Sequence, residues 1–219
     1  MRKLPLVALL LALFCIVPGI AIATDSGATF PPGPGNPPGP DTPGSLTTLF
    51  ASNNNYAGNS FDITPTTDLT VTGWDVNLAT SPNPYTVQVW WREGTANGFE
   101  QVGAGWTMLG QAIVNGAGVD LPTHVDVGGL AIAAGQTRGI IITALEAVGG
   151  VGGFNYTDGG PNNYSNAEMT VRTYRGLSEG FPPASVFAFR IWNGTVYYDF
   201  GGTPTEEKSW GAIKIGYQQ

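Results

Sequence analysis

Several groups of residues in this sequence could do chemistry, and each needs a geometry that the chain must supply. Gly176-Leu177-Ser178-Glu179-Gly180 has the form G-x-S-x-G. That pattern activates a serine only on a strand–turn–helix elbow, with a histidine later in the chain. Here Phe181-Pro182-Pro183 follows and forbids the helix, and the single histidine, His124, comes earlier. A glycine-rich loop is the expectation. His124 stands in phase with Asp120 and Asp126 on the polar side of a strand, which predicts a His–carboxylate surface pair. With the only cysteine, Cys15, inside an N-terminal apolar run, one histidine cannot build a zinc site of the usual nitrogen and sulfur kind. Glu93, Glu100, Glu168, Glu179 and Asp199 are carboxylates that would have to pair in space to cleave a glycoside. Nothing in their spacing selects a pair, and solvated surface is the plainer reading.

Oxygen-rich loops are a second kind of candidate. NYTDGGPNNYSNAE (155–168) and SNNNYAGNSFD (52–62) carry the Asp and Asn oxygens that suit a structural calcium ion. Neither has EF-hand spacing, and Asn and Asp populate turns for conformational reasons alone, so no metal ligand is assigned. Asn155, Asn163 and Asn193 lie in N-x-S/T sequons.

These side chains must be positioned by strands. Apolar residues alternate with period two, and Gly, Asn, Asp and Pro interrupt them throughout. No window sustains helical spacing. The sharpest element is Val186–Phe200, where Asn193-Gly194 has the form of a type I′ hairpin turn. The register that follows puts Phe187, Phe189, Ile191, Val196, Tyr198 and Phe200 on a core face. Ala188, Arg190, Trp192, Thr195, Tyr197 and Asp199 then face outward. Trp192 and Tyr197, with Arg190 between them, form a candidate ligand-binding face, because exposed aromatics beside polar groups stack on sugar rings or anchor protein partners. A loop or second layer covering that face is the competing reading.

Other strands are expected at 85–91, 106–114, 119–127, 138–145, 167–174 and 210–217. In LTVTGWDVNL the apolar phase slips at Gly73, which predicts a β-bulge. Pro122 marks an edge strand, and Ala134-Gly135-Gln136 a tight turn into a buried strand. The fold expected is all-β: a single antiparallel β-sandwich, jelly-roll or immunoglobulin-like, of about nine strands.

The N-terminus reads as an export signal. Arg2 and Lys3 precede the apolar run Leu4–Val17, and Ala21-Ile22-Ala23 offers small residues for cleavage. The run is too short for a comfortable membrane span. Residues 1–23 are therefore the signal peptide, 24–45 a Pro/Gly-rich linker and 46–219 the β-sandwich domain. PPGPGNPPGPDTPG (31–44) should be an extended, polyproline-like spacer. Cleavage removes Cys15, so the mature chain must rely on its hydrophobic core without disulfides, which fits a bacterial source. Net charge is −7 before cleavage and more negative after it, which argues against nucleic acid or anionic lipid as partners.

FASNNNYAGNSFDI (50–63), IAAGQTRGIIIT (132–143) and FRIWNGTVYY (189–198) together resemble the signature stretches of a bacterial secreted β-sandwich domain. That domain often precedes a C-terminal surface-sorting tail of the PEP-CTERM kind; this chain ends at KIGYQQ, without an apolar tail. The resemblance covers most of residues 46–200. It implies fold and compartment, and no catalytic residues. The reading is a secreted or cell-surface, non-catalytic binding or adhesion module for a glycan or matrix component. A self-associating envelope protein and a polysaccharide hydrolase with paired carboxylates are the alternatives. Self-association predicts a long unprotected edge strand. Mass spectrometry of the exported protein should find Thr24 at the N-terminus and no covalent lipid; a species retaining Leu4–Val17 would exclude the signal-peptide reading.

Overall fold

A computed structural model describes residues 43–146 and 152–200. The apolar N-terminal run, most of the linker and the strand expected at 210–217 lie outside the described residues. Among these residues there is no helix, and none therefore that could cross a membrane. Fifteen strands replace the nine expected, because turns and sheet changes divide the apolar stretches into short pieces. They are β1 (Pro43–Thr47), β2 (Asn54–Tyr56), β3 (Gly58–Pro65), β4 (Leu69–Asn77), β5 (Tyr85–Glu93), β6 (Trp106–Val114), β7 (Pro122–Val125) and β8 (Leu130–Ile132). There follow β9 (Arg138–Glu146), β10 (Phe154–Asp158), β11 (Asn163–Ser165), β12 (Met169–Leu177), β13 (Val186–Ala188), β14 (Arg190–Trp192) and β15 (Gly194–Phe200). β1 begins at Pro43, inside the segment read as spacer, and pairs with β15 from Pro43 to Thr47.

The strands form three sheets, and every ladder between them is antiparallel. The first runs β1-β15-β4-β7, with β8 also on β4. The second is β14-β10-β2, and the third β11-β12-β3-β9-β5-β6, with β13 also on β12. One core cluster draws on all three: Trp74, Val76 and Val196 from the first sheet, Phe154, Tyr156 and Trp192 from the second, and Phe61, Ile140 and Val87 from the third. The other face of the third sheet is covered in part. Ile141 and Leu177 pack there with Trp106 and Ala96, closed over by Trp90 and Phe181. Both faces of β9 are thus buried, as its unbroken Ile140-Ile141-Ile142 run requires.

Local chemistry is obeyed at Gly73, Pro122 and Gly135. The β4–β15 register shifts between Tyr197 and Tyr198, opposite Gly73 and Val71, so a bulge stands where the apolar phase slips. β7, with Pro122 at its start, lies at an edge. Gln136 N–H donates to the Ala133 carbonyl at 3.0 Å, with Gly135 at φ +73°, and this tight turn carries the chain from the first sheet into the third.

The hairpin expected at Asn193-Gly194 is absent. β14 pairs with β10, while β15 lies between β1 and β4 in another sheet. Neither Asn193 nor Gly194 has positive φ, so no type I′ turn exists. The chain crosses between sheets at this point. Its backbone groups are met by Thr48, whose hydroxyl donates to the Trp192 carbonyl at 2.6 Å and accepts from Gly194 N–H at 3.1 Å. The Asn193 side chain is buried and donates to the Thr157 hydroxyl at 3.0 Å. With the hairpin goes its phase. Trp192 is fully buried, its ring stacked on Phe61 at 4.2 Å and edge-on to Trp74 at 6.3 Å. Phe189, expected in the core, is 48% exposed, and Phe187 is half-buried.

Gly194 matters for close approach and not for a turn. A Cβ there would collide with the Trp192 indole and the Asp75 carbonyl. Gly194→Ala should therefore destabilise the protein by about 1–3 kcal/mol, although alanine suits the backbone. Trp192→Ala should cost about 3–5 kcal/mol, where an exposed tryptophan would cost little. Chemical denaturation of both variants measures this.

Candidate functional site

The three residues expected to share one ligand face occupy three different settings. Trp192 belongs to the core and offers nothing to a ligand. Its exposure was inferred from the hairpin register, and the sheet change turns its ring inward.

Tyr197 lies on the first sheet, turned away from the core. Its hydroxyl donates to Asp75 Oδ2 at 2.7 Å. His124 Nδ1 lies 3.0 Å from the other oxygen, Oδ1, and its ring meets Tyr197 edge-on at 5.5 Å. The imidazole passes over Gly73, where a Cβ would stand 3.3 Å from its Cε1. A His–carboxylate pair is therefore present, but across strands, since β4 puts Asp75 opposite His124. Asp120 is engaged elsewhere: its carboxylate accepts from Ser52 N–H at 2.8 Å and from Asn77 at 2.9 Å.

Arg190 opens β14. Its Nε lies 2.8 Å from Asp158 Oδ1, and its Nη1 donates to the carbonyls of Ala188 at 2.7 Å and Phe189 at 3.0 Å. The guanidinium sits 5.7 Å over the Tyr156 ring. Asp158 in turn accepts two bonds from Asn54 Nδ2, at 3.0 and 3.1 Å. Arg190 is thus committed to holding the β13–β14 step in shape, and Phe189 is the residue at that step. The Phe189 carbonyl also accepts from Gly159 N–H at 3.1 Å. The backbone is pinned while the ring faces solvent, with the Arg175 guanidinium 5.9 Å from its centroid. Alongside, Phe187 meets Tyr56 edge-on at 5.3 Å.

Gly176 lets these side chains converge. A Cβ there would stand 3.0 Å from Arg190 Cγ and 3.3 Å from Phe187 Cδ2. This accounts for the first glycine of the G-x-S-x-G match without an elbow. Gly176 is inside β12, and Ser178 is tied to Ser185 by bonds of 3.0 and 3.1 Å in the loop that follows. The surface so formed is an exposed ring with a cation beside it on a fixed backbone, an arrangement suited to stacking on an apolar ring face and donating to hydroxyls.

The two oxygen-rich segments lie together, because β2 pairs with β10. Their oxygens mainly serve each other: Asn53 Oδ1 accepts from Asp158 N–H at 2.7 Å, and Asn54 reaches the same residue. Among the described residues no three His, Cys, Asp or Glu side chains gather as metal ligands. Of the sequon asparagines, Asn155 and Asn193 are buried and Asn163 is exposed.

The candidate carboxylates are dispersed. Glu100 is buried, accepting from the Ser60 hydroxyl at 3.0 Å and Gly98 N–H at 2.8 Å. Nearby Asp62 accepts from Ala96 N–H at 2.7 Å and the Tyr174 hydroxyl at 2.9 Å, and burial raises its pKa above the ordinary carboxylate value. Together they fasten the 95–100 loop over the third sheet. Glu93 stands 3.8 Å from Arg138, and Glu179 accepts from Ala184 N–H at 2.7 Å. Glu168 Oε2 lies 3.4 Å from the Tyr198 hydroxyl, and Asp199 is half-buried on β15.

No protein-family model matches this chain, and a comparison with curated proteins returns no significant match.

The bond to Asp75, with burial behind it, pushes the Tyr197 phenol up to about 12 from 10.0. A group whose folded pKa is raised contributes stability below its unfolded pKa and loses it as pH rises through the folded value. Stability from this bond should therefore fall between pH 10 and about 12, and Tyr197→Phe should lack that component. Phenolate absorbance should show one titration moving down towards 10 in Asp75→Asn.

Proposed function

We propose that this protein is an exported, non-catalytic β-sandwich module of jelly-roll or immunoglobulin-like type. Its role is extracellular binding or adhesion to a glycan or cell-surface matrix component. The observation that carries this reading is Phe189: a large aromatic ring, 48% exposed, on a backbone bonded from two sides, with Arg175 beside it. Burying such a ring would repay the folding free energy forgone by leaving it in water, and a ligand is what would bury it. Sugars suit the chemistry, since their apolar faces stack on aromatic rings and their hydroxyls accept from a guanidinium. A preformed backbone also lowers the entropy cost of binding.

The sandwich reading draws support from the shared core, to which strands of the first and third sheets both contribute. The non-catalytic reading draws support from the carboxylates: Glu100 and Asp62 spend their oxygens on loop amides and hydroxyls. Export rests on the N-terminal segment and on the resemblance.

Affinity electrophoresis through gels containing neutral polysaccharides tests the proposal. At least one polysaccharide should retard the wild type. Phe189→Ala and Arg175→Ala should lose that retardation, and Phe189→Ala should melt within a few degrees of wild type, since exposed substitutions cost within about 0.5 kcal/mol. Unchanged retardation of Phe189→Ala would remove this surface from the binding site.

A further inference from the structure

We infer that β6 pairs with β6 of a second copy of this chain. Among the described residues, every other strand at a sheet margin is short or guarded. β1 and β7 begin with Pro43 and Pro122, and β2, β8, β11, β13 and β14 are three residues each. β6 is nine residues, WTMLGQAIV, with no charge and no proline, and it ends the path of the third sheet. A long edge without such guards is a template for another strand. Ile113, on this strand, is 73% exposed and Met108 38%.

The chemistry selects a second copy as occupant. When a strand pairs antiparallel with itself across a two-fold axis, each side chain near the axis meets its own kind or a close neighbour. A charged strand would thereby set like charges together, which is destabilising; β6 has none. The bulge between Val89 and Trp90 disturbs the ladder at Leu109, but Gly110–Val114 pair one-to-one with Tyr85–Val89 and are regular. Centring the axis on Ala112 puts Gly110 opposite Val114 and Gln111 opposite Ile113. On the core side Gly110 then faces Val114 and Ala112 faces its own copy, and the two Ile113 side chains cover each other diagonally outside. Because the interface consumes the same edge on both copies, assembly closes at two.

This dimer does not depend on the ligand surface around Phe189, which is built on strands at the other side of the third sheet, next to β12. Pairing through β6 would leave that surface free on both copies, and two linked sites bind a repeating polymer more tightly than one.

Sedimentation of purified protein across a concentration series tests the inference. The wild type should form dimers at micromolar concentrations. Ile113→Lys and Ile113→Glu should each raise the dimer dissociation constant by about a hundredfold or more, through the loss of two covered isoleucines. Both should keep the wild-type circular dichroism, and Gln111→Lys serves where a variant at 113 fails to fold. An equimolar mixture of the Lys and Glu variants should regain the dimer, because opposite charges now meet. A monomeric wild type, or variants that dimerise as tightly as it does, would overturn the proposal; a mixture that stays monomeric would overturn the antiparallel pairing. Polysaccharide retardation through Phe189 is read separately, so failure of either reading is distinguishable.

Discussion

Trp192 lies flat on Phe61 at 4.2 Å, with Trp74 edge-on beside it, and the course of the last third of the described chain follows from that contact. Removing an indole of about 150–250 Å² from water is worth roughly 4–6 kcal/mol at 25 cal/mol per Å². The indole Nε1–H finds no protein acceptor in the core, a cost of about 1–3 kcal/mol. Burial wins by magnitude. Once the ring is inside, Ile191 and Arg190 take alternate faces of β14, and the next residues must leave for another sheet.

That departure needs its polar groups met, because an unpaired buried amide costs as much as a lost hydrogen bond. The buried Asn193, Asn77 and Asn155 and the half-buried Thr157 form a chain of side-chain bonds at this end of the core. Asn77 carries it on to Asp120, and Asp120 to Ser52, so loops far apart in sequence are joined. Thr48 supplies the remaining partners for the crossing backbone. Two of the three sequon asparagines, Asn155 and Asn193, are here the mortar of one junction.

The same inversion sets Phe189 in solvent. With Trp192 inward, the chain reaches Phe189 at the step between two sheets, where its carbonyl is bonded and its ring has no core to enter. The surface proposed for ligand and the edge proposed for self-pairing stand on opposite margins of the third sheet. Function on this fold would then be divided between a margin rich in aromatics and cations and a neutral strand that, among the described residues, ends the sheet.

Features governed by neighbouring residues were legible in the sequence. The alternation of Tyr85, Val87 and Val89, the phase slip at Gly73, the turn at Gly135 and the edge position of Pro122 all depend on a few adjacent side chains and on backbone sterics. So did the composition's exclusion of helix among the described residues. The hairpin failed because Asn193-Gly194 is a local preference worth little against an indole that can be buried through contacts with Phe61 and Trp74, more than a hundred positions away. The partner of His124 was hidden for the same reason: Asp75 is brought opposite by register, not by spacing along the strand. What the sequence by itself determined was the all-β class and such local features as the Gly73 bulge and the Gly135 turn, because pleat and φ/ψ sterics act within a few residues. Which aromatic is core and which is surface was decided only by tertiary structure, because burial is a competition among distant side chains for one interior.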